Sequence, residues 1–219
     1  MIVTKEKPLE EILGFLSPYK KILVVGCDGC TTPPRGLREA KTYATLLEMS
    51  RKPKNKNFEC KATTVSKQCD NYDCATTLTP QIENVDAILS FACGVGVQTL
   101  VDVFPEIPIY PGQDTIFLGS QDRDNATMYE KCISCGDCIL GETGGICPRT
   151  RCPKGLLNGP CAGHMDEKCE VDREKDCAWV LIYKRMKDAG QLDKFREFRK
   201  PRNYQISTAP QQVVGSDSE

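Results

Sequence analysis

The stretch Lys21-Ile22-Leu23-Val24-Val25-Gly26-Cys27-Asp28-Gly29-Cys30 decides the fold. After Lys21 it is apolar and uncharged up to a closing glycine, the pattern of a strand buried on both faces, as in parallel sheets. Residues 58–65 and 87–92 repeat that character. Between these segments lie helical patterns. Residues 8–17 place Ile12, Leu13 and Leu16 on one side, and Thr32-Pro33-Pro34 opens a helix to about Ser50 with Leu37, Ala44 and Leu47 facing inward. A third helix runs over 94–104 and stops at Pro105. Residues 51–57 read as a basic, polar turn, and 107–110 and 115–118 as short strands near a sheet edge. Strand–helix–strand order implies parallel pairing through right-handed crossovers. The fold class is therefore α/β, with a small Rossmann-like parallel-sheet domain over 1–124.

The character changes near Asp124. Large apolar residues thin out, and Gly, Pro and Cys take over. Such a segment buries too little apolar surface to offset its ordering entropy, and metal ligation is the natural substitute. Residues 125–200 thus read as a Gly/Cys-rich metal-cluster domain with a C-terminal helix. That helix is expected to start at Asp172 as N-cap, to bury Trp179, Ile182, Tyr183 and Met186 as packing residues, and to stop at Gly190. Residues 201–219 are polar and read as a flexible tail.

Composition excludes several function classes. The chain has 29 basic and 30 acidic residues, so no net charge marks it for nucleic acid or an anionic membrane surface. The N-terminal Met1-Ile2-Val3-Thr4-Lys5-Glu6-Lys7 carries charges where a signal peptide is apolar, and no segment approaches the roughly 20 apolar residues of a membrane span. A cytoplasmic location is expected. There, the 14 cysteines have little use as disulfides, because cellular reductants keep thiols open.

The cysteines form two constellations. Cys27 and Cys30 follow the first buried strand, Cys69 and Cys74 lie in the loop after the second, and Cys93 follows the third. Loops after successive parallel strands open on one carboxyl edge, where ligand sites form. Cys27, Cys30, Cys69 and Cys93 are read as a tetrahedral sulfur cage, with Cys74 as a spare that could trade places with Cys69. The amides at the start of the helix at Gly94 would favour its negative charge. Cys60 lies within a strand and reads as a small core residue. In the second half, Cys132, Cys135 and Cys138 recur at C-x2-C-x2-C spacing, which suits three corners of a [4Fe–4S] cubane. The fourth ferredoxin-type cysteine is missing at its usual distance, and Cys147-Pro148 comes later. With Cys147, the cysteines Cys152, Cys161, Cys169 and Cys177 are enough to complete one site and fill a second; zinc accepts the same ligands. With twelve candidate ligands, two or three clusters fit, and several groupings satisfy the spacing. Gly136, Gly141, Gly144 and Gly145 would let backbone amides approach the sulfurs.

Other signals point away from catalysis on this chain. Gly26 and Gly29 lack a dinucleotide-binding pattern, His164 reads as a solvated turn residue, no catalytic triad can be built, and Glu10-Glu11 reads as a first helical turn. No folate or flavin pocket is legible. A thiol–disulfide sensor on Cys27 and Cys30 is a third reading beside the two metal readings.

The stretch from Cys132-Ile-Ser-Cys135-Gly-Asp-Cys138 through Gly144-Gly145-Ile146-Cys147-Pro148 resembles the MetV-type small subunit of bacterial methylenetetrahydrofolate reductase. So do Leu156-Leu157-Asn158-Gly159-Pro160-Cys161, Lys168-Cys169 and Asp176-Cys177-Ala178-Trp179, and upstream Val25-Gly26-Cys27, Gln68-Cys69 and Ala92-Cys93-Gly94-Val95-Gly96. The chain departs from that family at 31–34, where Thr-Thr-Pro-Pro replaces a frequent further cysteine, and at Ala162-Gly163, where Gly-Gly is usual. The resemblance implies a non-catalytic, iron–sulfur electron-transfer subunit of an oxidoreductase heterodimer in one-carbon metabolism. Its partner would be a MetF-like large subunit bearing FMN or FAD, which reduces methylene- to methyl-tetrahydrofolate, and an upstream electron-donor protein would feed the relay. The family pattern favours Cys69 over Cys74. The family has also been described as zinc-binding, which implies the alternative of a structural scaffold without electron transfer.

Overall fold

The computed structural model describes residues 1–51, 53 and 57–213; most of the polar turn expected over 51–57, and residues 214–219 of the tail, lie outside these. The chain divides into two units, Met1–Gly119 and Ser120–Glu219.

In the first unit the elements are β1 (Ile2–Glu6), α1 (Leu9–Leu16), β2 (Lys21–Cys27), β3 (Thr31–Thr32), α2 (Leu37–Arg51), β4 (Glu59–Val65), α3 (Asn71–Leu78), β5 (Ala87–Ser90), α4 (Gly94–Val103), β6 (Ile109–Pro111) and most of β7 (Gln113–Asp122). The main sheet has the order β4-β2-β5-β6, every pair parallel. The parallel α/β layer expected from 21–30 is thus present. Strand β2 is central and buried from Ile22 to Cys27. Its alternation divides the core: Ile22 and Val24 pack with Ile12 and Leu16 of α1 and Tyr43 and Leu47 of α2, while Leu23 and Val25 pack with Leu78 of α3 and Leu100 of α4. Each such side chain contributes about 1.5–3 kcal/mol, and together they offset the entropy of ordering the layer.

Three local expectations change. The second helix begins at Leu37, because Pro33 and Pro34 supply no N–H and hold the chain extended; Thr31–Thr32 instead pairs with β1. The Glu39 carboxylate accepts from the Gly36 N–H at 3.0 Å and caps the delayed start. The loop expected after β4 contains α3, which Asp70 nucleates by accepting from the Tyr72 and Asp73 N–H groups at 3.0 and 3.1 Å. Residues 115–118 belong to β7, which runs antiparallel to β1 in a separate sheet; of the two expected edge strands, β6 joins the parallel sheet.

The second unit contains the end of β7, then β8 (Thr127–Cys132), α5 (Pro148–Arg151) and α6 (Ala178–Asp188). Its core is small: Cys177, Trp179, Ile182 and Met186 are buried, with Ile146, Leu156, Val180 and Leu192 packed against them. The expected apolar face of α6 holds except for Tyr183, which is half exposed. The helix starts at Ala178, not Asp172, since Asp172 spends its carboxylate on a turn, accepting from Glu174 N–H at 3.1 Å. Gly190, at φ 66°, ends the helix region as expected. No helix among the described residues is long and apolar enough to cross a membrane.

Candidate metal centres

The carboxyl ends of β2, β4 and β5 deliver Cys27, Cys69 and Cys93. Cys27 is the last residue of β2. Its N–H donates to Arg35 O at 2.7 Å, and Asp28 N–H donates to Val65 O at 3.0 Å, so the loop after β2 is held at both strands. Cys30 is exposed, and its carbonyl accepts from Ile2 N–H at 2.9 Å. Cys93 is the N-cap of α4. Of the amides expected to face a cage there, that of Gly94 is taken by Thr115 Oγ1 at 2.8 Å.

Electrostatics tie three of these sulfurs together. Burial pushes the Cys27 thiol up; the backbone N–H groups of Gln68 and Gly29 on its sulfur oppose this, and the Cys93 and Cys69 thiols raise it further. Cys74 has a different role. Burial above all, then Cys27, Asp70, Asp73 and Cys69, pushes it up to about 11, and its S–H donates to Gln68 O at 3.3 Å. It lies fully buried among Leu23, Val25 and Leu78, a packing thiol. Cys60 packs at the margin of the other core cluster.

Two glutamines not singled out in their own right by the sequence reading hold this edge. Gln68 is fully buried; its Nε2 donates to Val25 O and Gly26 O at 3.2 and 2.7 Å, and its Oε1 accepts from Ser90 Oγ at 2.6 Å. Gln113 is also buried; it donates to Phe91 O, two residues before Cys93, and accepts from Thr4 Oγ1 at 2.6 Å. Close approach does the rest. A Cβ on Gly26 would lie 2.6 Å from Gly36 O, and one on Gly96 would lie 2.8 Å from Gln68 Cβ. The only advance sign was the position of Gln68 beside Cys69 in a loop after a buried strand.

In the second unit β8 ends at Cys132, whose sulfur accepts from Ser134 N–H at 3.3 Å. Ser134 and Gly136 both have positive φ, 51° and 76°, which turns the 132–138 loop back on itself. Burial would raise the Cys135 thiol, but the Asp137 N–H, the charges of Arg202 and Arg149, and an Arg149 hydrogen bond outweigh it, and the net shift is downward. Arg202, with a side chain 4 % exposed, donates to Asp137 O at 2.8 Å and to Cys135 O. The segment read as a flexible tail therefore contributes a residue to this loop, and a 3-10 turn follows at Tyr204–Ser207. Cys138 is exposed. Cys147 and Cys152 flank α5 as N-cap and C-cap, and Thr150 Oγ1 reaches Lys131 O at 3.4 Å beside Cys132. Further along, a bridge between Lys168 and Asp176 sets Cys169 and Cys177 on neighbouring segments. The exposed Cys161 thiol is lowered by the Gly163 N–H and then by Lys154. His164 is exposed, as expected of a turn residue.

Among the described residues, no three Cys, His, Asp or Glu side chains stand close enough together to ligate an ion as placed. The thiols form neighbourhoods: Cys27, Cys69 and Cys93 in the first unit, the 132–152 group around α5, and the pair Cys169 and Cys177. The donor chemistry fits a sulfur-only centre, zinc or iron–sulfur, and not a hard cation. Arg149 Nη1 and Arg202 Nε are buried N–H groups with no hydrogen-bond partner, on the two arginines whose charges bear on Cys135. A buried orphan donor is costly, and thiolate or sulfide sulfur beside it would satisfy it.

Residues 110–205 match the family model described as methylene-tetrahydrofolate reductase C terminal. Over these residues, somewhat under half of its length, the chain is similar to that family. The match contains every C-terminal motif on which the resemblance to the reductase rests, from Cys132 to Trp179; the upstream motifs at 25–27, 68–69 and 92–98 precede it. No curated protein and no solved structure matches the chain.

Proposed function

We propose that the chain is the iron–sulfur electron-transfer subunit of a methylenetetrahydrofolate reductase complex, relaying electrons to the flavin of a MetF-like catalytic subunit. The observation that carries the reading is the pair of buried, unpartnered N–H groups, Arg149 Nη1 and Arg202 Nε, on the two arginines whose charges bear on Cys135 of the C-x2-C-x2-C loop, within the segment that matches the reductase family. Cys27, Cys30, Cys69 and Cys93 would hold one centre. Cys132, Cys135, Cys138, Cys147, Cys152, Cys161, Cys169 and Cys177 supply the remainder. Bound [4Fe–4S] clusters supply one-electron storage. The protein's part is to fix the thiolates, to donate N–H groups from Gln68, Gly29, Ser134 and Asp137 to their surroundings, and to set positive charge at Cys135 through Arg149 and Arg202. No group on this chain is assigned to chemistry at carbon, which belongs to the partner.

The test is rapid mixing of the anaerobically reduced chain with an oxidised MetF-like flavoprotein. Bleaching of the flavin absorbance is expected; a flavin that stays oxidised overturns the relay. A zinc scaffold is the second reading, favoured by the small core of the second unit, and it predicts that null result together with stoichiometric zinc.

The arginines give a sharper expectation. Arg202→Gln removes a buried positive charge and should lower the midpoint potential of one centre by about 60 mV, a tenfold change for a one-electron couple. An EPR-monitored redox titration reads this directly. An unshifted potential with intact iron content would mean that Arg202 only anchors the tail.

A further inference from the structure

We infer that an open groove in the second unit is the docking site for an acidic, apolar-anchored segment of the flavin-bearing partner; this rests on the functional reading above. The groove has a volume of about 1060 Å³. Ile139 and Trp179 line it and are 5 % and 7 % exposed, so its floor is apolar and preformed. Tyr183, Phe195 and Phe198 line it too, and they are 50 %, 43 % and 87 % exposed. A small-molecule pocket shields its aromatic groups, whereas exposed rings around an apolar floor are what a protein interface covers. The Leu157-Asn158-Gly159-Pro160 motif, which no metal role uses, forms part of the same wall.

The charge of the wall selects the occupant. Lys184 is paired with Glu167 at 2.5 Å, Arg199 with Glu142 at 2.9 Å, and Lys194 donates to Gly141 O at 3.2 Å. Lys187 and Lys200 make no ion pair among the described residues, against Glu197 as the one lining acid likewise unpaired there. The surplus is positive, so an acidic segment is complementary. The lining also fixes which protein it is. Transient electron-donor contacts are small and polar, while stable subunit interfaces are larger and more apolar, with Trp and Tyr anchors. Position agrees with a redox partner: Ile139 follows Cys138, Pro160 precedes Cys161, and Arg199 also pairs with Asp137 at 3.1 Å in the cysteine loop.

The experiment is sedimentation velocity of the metal-loaded full chain with a purified MetF-like flavoprotein, followed by flavin absorbance. Two variants are compared with wild type: Tyr183→Ala with Phe198→Ala, and Lys187→Glu with Lys200→Glu. All four side chains are exposed, and unchanged metal content and melting profile show an intact fold. The aromatic variant is expected to weaken association about 30-fold or more. The charge variant should lose the salt dependence of association. Wild-type affinity in both variants overturns the groove and leaves the relay standing, as does loss of binding only to an electron-donor protein. A metal-loaded wild-type chain that never binds the flavoprotein overturns the relay reading and the occupant with it. Should the aromatic variant alone misfold, the charge variant decides.

Discussion

Stripping the proposed metal from this chain is expected to unfold residues 120–213 and to leave the first unit folded. The reason is the distribution of apolar burial. The first unit packs two clusters on the two faces of β2, with Phe58, Phe91, Leu47, Leu89 and Leu100 fully buried. The second packs a single cluster of four buried residues, one of them Cys177. Its connections are turns with positive φ at Ser134, Gly136, Gly144, Gly145, Ala162, Asp166 and Glu167, a backbone that is entropically costly to fix. With ligands bound, metal coordination supplies on the order of 10 kcal/mol, as in small metal-folded domains. Without it, no comparable term remains. Amide hydrogen exchange before and after chelation checks this: protection across α6 should vanish while protection across β2 and β5 persists. Retained protection in α6 would show that the small core suffices.

Gln68→Leu is expected to destabilise the first unit by about 3–5 kcal/mol and to empty its proposed cysteine centre. Leucine fills much of the space but removes every polar contact of the side chain. The carbonyls of Val25 and Gly26 lose their donor, and the Ser90 hydroxyl loses its acceptor, all in a buried setting. The same side chain joins β2, β5 and the loop that carries Cys69, so its loss also loosens the spacing of Cys27, Cys69 and Cys93. A urea melt gives the first quantity, and metal analysis of the variant gives the second. Gly96→Ala should act in the same direction through its 2.8 Å clash with Gln68 Cβ. Full metal occupancy in Gln68→Leu would detach this network from the site.

The sheet was legible because β2 is buried on both faces and so carries an unbroken apolar pattern that needs no context. Strand β1 was not: Ile2 and Val3 alternate with nothing distinctive, and their partners Thr31, Thr32 and Phe117 are far away in sequence. Helix α3 is short and rich in Thr, and its one strong signal, Asp70, also fits a loop. The start of α6 slipped by several residues because Asp172 caps a turn as readily as a helix. For the site, spacing named the sulfur candidates, and carboxyl-edge topology explained why Cys27, Cys69 and Cys93 sense one another. It could not single out Gln68 and Gln113, whose importance lies wholly in what they touch. Nor could it see Arg202, which comes to Cys135 from a segment of unremarkable polar composition.

The most direct measurement is iron, zinc and acid-labile sulfide in the full chain purified without oxygen. The account predicts a brown protein in which iron and sulfide occur in near-equal amounts. Colourless protein holding stoichiometric zinc and no iron would contradict it.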